Sequence, residues 1–210
     1  MWGGFFTIPP KKMFIVDVSH HQGKIDWKTV ATQNSPKVDG VYIKASTGVG
    51  SSDERALYNA TEAKKNGLKI GYYHYCSLND KNEIEDANNE AAWFARVLSK
   101  LPTMDLPAVL DVEDNNPNIH LEDGEVLNFI NTFFSVLKTY GIIDYALYSY
   151  TYFLNDHLPV NHGLTSTKLW IADYTPPLIL PIGWNSAWLW QYTDKGIIKG
   201  IQTPVDLNRQ

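Results

Sequence analysis

The 210-residue chain has one cysteine, Cys76, so neither an internal disulfide nor a cysteine-built zinc site can hold it together. It has no apolar run approaching the roughly 20 residues that span a bilayer as a helix, and no repeat or low-complexity tract. It also lacks positive charge. Its 18 Lys and Arg against 23 Asp and Glu leave a formal net charge of -5, which argues against a concentrated basic surface for nucleic acid. Residues 1–12, MWGGFFTIPPKK, have too few apolar residues before Pro9-Pro10 for a secretory core, and no signal peptide is read there. They read as an extension or linker ahead of one domain, 13–210.

The chain does have enough length for one good core, with an ordinary 44% hydrophobic fraction. Aromatic residues make up 13%, including seven Trp and twelve Tyr. Most such rings fill cores. An excess also suits a sugar cleft, where pyranose faces stack on rings.

Eight segments rich in Val, Ile, Tyr and Trp and bounded by turn residues read as buried strands: 14–20, 40–46, 69–76, 107–113, 145–150, 168–174, 187–193 and 205–208. Helical patterns fall between the early ones. Residues 53–66 end at Gly67; residues 83–101 carry Ala87, Ala91, Phe94, Val97 and Leu98 at helical spacing and stop at Pro102; residues 121–140 stop at Gly141. Alternation of strand and helix predicts parallel β/α units. The rhythm breaks late, since residues 175–187, TPPLILPIGWNSA, hold three prolines and leave no room for a proper helix. A single-domain α/β barrel closed by short loops is expected.

In such barrels functional groups sit at the carboxyl ends of strands. Asp17, Lys44, His74, Asp111 with Glu113, Asp173 and Gln191 fall at or near successive strand ends, and Asp206 lies in the short last strand. Together they predict one polar mouth. Asp111 and Glu113 are the most informative, because the run 106–112 is otherwise apolar. Residues i and i+2 of a strand share a face about 6.5–7 Å apart along the chain, so both acids point into the barrel. Two acids that close push their proton affinities apart, the division of labour that glycoside hydrolysis uses. Glu113, nearer the open end, suits a general acid; Asp111 suits a partner that orients it. The bland alternative pairs these acids with Lys44 or Arg209, or makes one a cap for the helix near Leu121.

Other groups carry less. His20 and His21, adjacent on a strand end, are expected on opposite faces and so unable to share a metal. His74 is expected to orient a neighbouring acid. Asp173 is either a cleft residue or a cap on the loop after it, and Cys76 a small buried hydrophobe. No cofactor and no metal are expected.

The motifs DVSHHQGKIDW (17–27), YIKASTG (42–48), GYYHY (71–75), LDVED (110–114), WIADY (170–174), WQYT (190–193) and VDLN (205–208) resemble, in order, those of the glycoside hydrolase family 25 lysozymes. These are the Chalaropsis-type N-acetylmuramidases of phage endolysins and bacterial autolysins. The resemblance covers roughly residues 13–209. It implies an irregular TIM-like (β/α)5(β)3 barrel. It also implies cleavage, with retention, of the β-1,4 bond from N-acetylmuramic acid to N-acetylglucosamine in peptidoglycan. By the same resemblance Glu113 matches the proton donor and Asp111 its companion. Asp17 and Asp206 match the other cleft acids, and Tyr73, Tyr148, Trp170 and Gln191 match positions along the sugar groove. Bacterial peptidoglycan strands are then the partner and the cell wall the place of action. The chain would act as a monomer or as one domain of a larger endolysin or virion-associated lysin. Two rivals are a metal-dependent polysaccharide deacetylase, which needs an Asp-His-His site, and a non-catalytic glycan-binding barrel.

Overall fold

A computed structural model describes residues 12–78, 82–114 and 124–210. In chain order the elements are β1 (Phe14–Val18), a 3-10 turn (His20–Gln22), α1 (Trp27–Thr32), β2 (Gly40–Thr47), β3 (Ser51–Ser52), α2 (Ala56–Lys65), β4 (Lys69–Tyr75) and α3 (Glu83–Leu98). They continue with β5 (Ala108–Asp111), α4 (Glu125–Thr139), β6 (Tyr145–Tyr150), α5 (Thr151–His157), β7 (Lys168–Ala172), β8 (Leu189–Gly196) and β9 (Val205–Arg209).

The strands run β1-β2-β4-β5-β6-β7-β8-β9 and close where β9 pairs with β1; β3 folds back on β2 as a short hairpin. Every neighbouring pair from β1 to β8 is parallel, while β9 is antiparallel to both β8 and β1. Five helices cover the first strands, and β7, β8 and β9 follow one another without one, as the proline-rich 175–187 predicts. The expected (β/α)5(β)3 barrel is the observed fold.

Alternation along the strands builds two apolar layers. Ile15, Tyr42, Val109, Tyr148, Trp170 and Leu189 fill the barrel interior. Val16, Ile43, Tyr72, Leu110, Val112 and Ile171 face outward into a larger layer shared with the helices. The inner layer is tight: a Cβ on Gly71 would lie 2.4 Å from the Tyr42 ring, so glycine is what lets that ring cross β4.

The long helices form where periodicity predicts them. The Asn82 side chain accepts hydrogen bonds from Ile84 N and Glu85 N, and Glu83, Glu85 and Asp86 place negative charge in the first turn of α3. In α4, Val126, Phe129, Ile130, Phe133 and Leu137 form one buried stripe. Gly67, in the left-handed region at φ +80°, ends α2. Boundaries differ at the edges. α2 starts at Ala56 rather than 53, because Asp53 is held by Ala45 in front of the helix. α3 stops at Leu98, where Ser99 caps it. Residues 121–123 of the third predicted helix, and 1–11 of the predicted extension, lie outside the described residues. The short α1 and α5, of 6 and 7 residues, were not predicted; each is under two turns and shows no period.

Candidate active site

One mouth of the barrel opens as a cleft of about 330 Å³, lined by the predicted residues Asp17, Lys44, Tyr73, Asp111, Glu113, Tyr148, Gln191 and Asp206. The parallel strands bring theirs by their carboxyl ends. Asp206 is brought the other way. It is the second residue of β9, whose reversed direction sets its first residues at the same mouth, and it is the register partner of Asp17.

The acids form two pairs. Asp17 is buried, and its Oδ2 accepts from Asn208 Nδ2 at 2.7 Å and from Gln191 Nε2 at 3.2 Å. Burial pushes its proton affinity well above the ordinary carboxylate range, the charge of Asp206 adds to this, and the two amide donors oppose it. Burial raises Asp206 as well, against a hydrogen bond from Asp17. Asp111 and Glu113 repeat the arrangement. Burial and the charge of Glu113 push Asp111 well up, while Glu113, half-buried, is raised by burial against the hydrogen bond from Asp111 and the charge of Lys44. In each pair burial raises both acids, and all four line the cleft. Each pair titrates as a unit.

A hydrogen-bond chain sets the floor. Tyr148 Oη and Tyr174 Oη both donate to Gln191 Oε1, at 2.9 and 2.7 Å, which turns the Gln191 amide nitrogen toward Asp17. Trp170 Nε1 donates to Asn208 Oδ1 at 2.7 Å, which aims the Asn208 amide at the same oxygen. By contrast Asp111 Oδ1 has no hydrogen-bond partner among the described residues.

Four placements refine the sequence reading. Trp170 is not a groove platform: it is 2% exposed, packed in the barrel interior on Tyr42 and Tyr148, and it meets the site from behind, by ring contacts to Tyr148 and Tyr73 and by its bond to Asn208. Asp173 is not part of the cleft lining; it follows the inward Ala172, and its side chain accepts from Thr175 N and Ile179 N, so it ties down the loop after β7. His74 alternates with the inward Tyr73 and Tyr75 and so points away from the mouth into the helix layer, where the acid it holds is Glu90. His20 and His21 lie in a turn rather than on a strand, their rings 4.0 Å apart. His20 bonds Asp53, and His21 lines the cleft.

Sequence reasoning missed other lining residues: Tyr75, Tyr150, Tyr174, Asp194, His21 and Gln22. A period-of-two step would have found Tyr75 from Tyr73 and Tyr150 from Tyr148, and Asn208 from Asp206 in the same way. Asp194 and the turn residues leave no such signal.

Residues 16–201 match the family described as Glycosyl hydrolases family 25. An autolytic lysozyme of Clostridium acetobutylicum is 31% identical over 196 residues, which cover 92% of this chain and 54% of that protein. Among solved structures, the modular autolysin LytC of Streptococcus pneumoniae, in complex with a synthetic peptidoglycan ligand, superposes with a TM-score of 0.83 at 28% identity, covering 94% of this chain and 46% of that one. The bacterial lysozyme of Streptomyces coelicolor superposes with a TM-score of 0.81 at 26% identity, over 95% of this chain and 92% of that one. The chain thus spans about half the length of the first two relatives.

Proposed function

The chain belongs to glycosyl hydrolase family 25, and on that footing we propose that it is a peptidoglycan hydrolase. It cleaves the β-1,4 bond between N-acetylmuramic acid and N-acetylglucosamine with retention, and Glu113 serves as general acid and then general base. The observation that carries this reading is the Asp111–Glu113 pair. Both acids line the cleft and are buried enough to hold protons above the ordinary range, and Glu113 is the less buried of the two.

In this mechanism the glycan lies across the mouth, with Tyr73, Tyr148 and Gln191 among its contacts. Glu113 protonates the glycosidic oxygen as the bond breaks, then takes a proton from the attacking water. Asp111 shares the pair's proton and keeps Glu113 oriented. Asp17 and Asp206, on the paired strands β1 and β9, line the same cleft and are the acids left to meet the sugar. The lysozyme and peptidoglycan-bound autolysin among the relatives support this substrate class.

A metal-dependent deacetylase is not favoured, since among the described residues no group of three His, Cys, Asp or Glu is placed to hold a metal. A non-catalytic glycan-binding barrel would not need two proton-holding acid pairs in its cleft. The test is digestion of purified peptidoglycan, with the new reducing-end sugar identified by mass spectrometry. N-acetylmuramic acid is expected; N-acetylglucosamine at the new reducing end, or no release, would overturn the proposal.

A further inference from the structure

Behind the cleft, between the barrel and its helices, lies a polar chain that none of the proposed chemistry uses. Ser46 Oγ and His74 Nδ1 are 2.8 Å apart, and His74 Nε2 is 2.8 Å from Glu90 Oε2 on α3. The Glu90 carboxylate also accepts from Ser77 N, just beyond β4, at 3.0 and 3.2 Å. All three side chains are at most 1% exposed, and the His74 ring packs against both Phe94 and Phe133, which also touch each other. With Nε2–H donating to Glu90, Nδ1 is an acceptor, so the Ser46 hydroxyl donates to it.

The chain sits on an irregularity. In the pairing of β2 with β4, Lys44 stands opposite Tyr73 and Ser46 opposite His74, so Ala45 is an extra residue and β2 bulges there. In a regular strand Lys44 and Ser46 would share a face. The bulge separates them: Lys44 goes into the cleft, its Nζ 4.4 Å from the Tyr75 ring centroid, and Ser46 goes out to His74. Among the described residues Lys44 is the only Lys or Arg in the cleft lining. Its charge favours the ionised forms of both Asp111 and Glu113.

We propose that Ser46, His74 and Glu90 are positioning residues that hold the β2 bulge, and through it hold Lys44 against the Asp111–Glu113 pair. This rests on the hydrolase reading above. A buried polar chain of this kind contributes little net stability compared with apolar packing, and bulges recur beside active sites where they re-aim a side chain. Besides Lys44, the cleft around the pair holds Asp17 from β1, His21 from the turn after it, Asp206 from β9, Tyr73 and Tyr75 from β4, Tyr148 and Tyr150 from β6, Tyr174 after β7 and Asp194 from β8, with Cys76 behind the pair. Among the described residues Lys44 is the only Lys or Arg in this set.

The experiment compares wild type with Lys44→Met, Ser46→Ala, Ser46→Thr and the Lys44→Met/Ser46→Ala double variant. The pH profile of wall hydrolysis is recorded, and the Asp111 and Glu113 carboxyls are titrated by carbon-13 NMR without substrate. Lys44→Met is expected to move the basic limb, and the pair's titration, to higher pH. Ser46→Ala moves both the same way by a smaller amount, Ser46→Thr restores them, and the double variant shifts no further than Lys44→Met. A Ser46→Ala protein that melts earlier while its profile and titration superpose on wild type would overturn the proposal, as would fully additive shifts. If Ser46→Ala does not fold, Glu90→Gln, which keeps an acceptor for Nε2–H, takes its place under the same expectations. Failure of wild type to release reducing ends would sink the hydrolase reading instead; the NMR titration would still decide the positioning.

Discussion

Asp17 and Asp206 are register partners on two antiparallel strands, β1 and β9, at the point where the barrel closes. Among the described residues neither a salt bridge to Lys or Arg nor full exposure relieves them: Asp17 is buried under two amide donors and Asp206 is half-buried beside it. Asp111 and Glu113 form a second pair of the same kind. Such an arrangement is poor for stability and good for chemistry, because it holds protons at a pH above the range where isolated carboxylates lose them.

A thermal consequence follows from the sign of the shifts. A carboxyl with a raised proton affinity in the folded state contributes stability that is fully present below its ordinary pKa and is lost as pH rises through the folded value. Asp111, raised by burial and by Glu113, is in that position. Asp111→Asn stays neutral at every pH. It should therefore melt higher than wild type at pH 7, by a few degrees, given about 2–4 °C per kcal/mol for a chain this long. The advantage should shrink as pH falls toward about 4. Scanning calorimetry from pH 4 to 8 checks this, and a wild type more stable than the variant at pH 7 would contradict it. Activity should fall in the same variant.

Glu113→Gln should abolish turnover while leaving the fold intact. The amide keeps the shape of the acid but cannot give up a proton, and general acid catalysis contributes roughly 10²–10⁴-fold. Release of reducing ends from peptidoglycan, measured beside a circular dichroism melt, separates lost chemistry from lost folding. Near wild-type release would remove Glu113 from its role.

The correction at Trp170 leads to a split between stability and binding. Trp170→Phe keeps most of the ring packing but removes the bond from Nε1 to Asn208. Leaving a buried acceptor unpaired costs about 1–3 kcal/mol. The variant should melt earlier while its KM for wall fragments stays close to wild type, since Trp170 does not line the cleft. A large rise in KM with unchanged melting would restore Trp170 to the sugar groove.

These particulars show what the sequence made legible. Strands such as 107–113 announce themselves by buried Val and Leu, and an acid inside such a run is conspicuous, so Asp111 and Glu113 could be read directly. Which face a strand-end residue takes is harder. His74 was counted with the mouth although it alternates with Tyr73, and the bulge at Ala45 changes parity without leaving a mark in the sequence. Strand direction is equally silent. Nothing in VDLN marks Asp206 as lying near the start of a reversed strand. Asp173 takes the second of its two readings, the loop cap, because its strand stops at Ala172 and the next residue belongs to the loop.

Removal of metal should leave the reaction untouched. The His20 ring is committed to Asp53, and among the described residues no cluster of donors offers three ligands. Overnight dialysis against EDTA followed by a hydrolysis assay is the measurement. Activity that falls and returns with zinc would bring the deacetylase reading forward.

The step after protonation turns on the Asp17–Asp206 pair. Asp17 Oδ2 already accepts two hydrogen bonds, and its proton affinity is raised, so it is not a free nucleophile. A pair that shares a proton is instead suited to hold an amide, accepting from N–H on one carboxyl while the other adjusts its charge. The substrate offers such an amide in the N-acetyl group of muramic acid, whose own oxygen can attack the anomeric carbon and leave a cyclised intermediate. If the pair serves that route, a thiazoline mimic of the intermediate should inhibit far more strongly than a simple N-acetyl sugar, because the site fits its charge and shape. Asp17→Ala and Asp206→Ala should each lower kcat more than they raise KM. Mass spectrometry of enzyme quenched during turnover supplies the opposing result: a glycosyl group covalently attached to either aspartate would assign that residue as nucleophile and rule the amide-assisted route out.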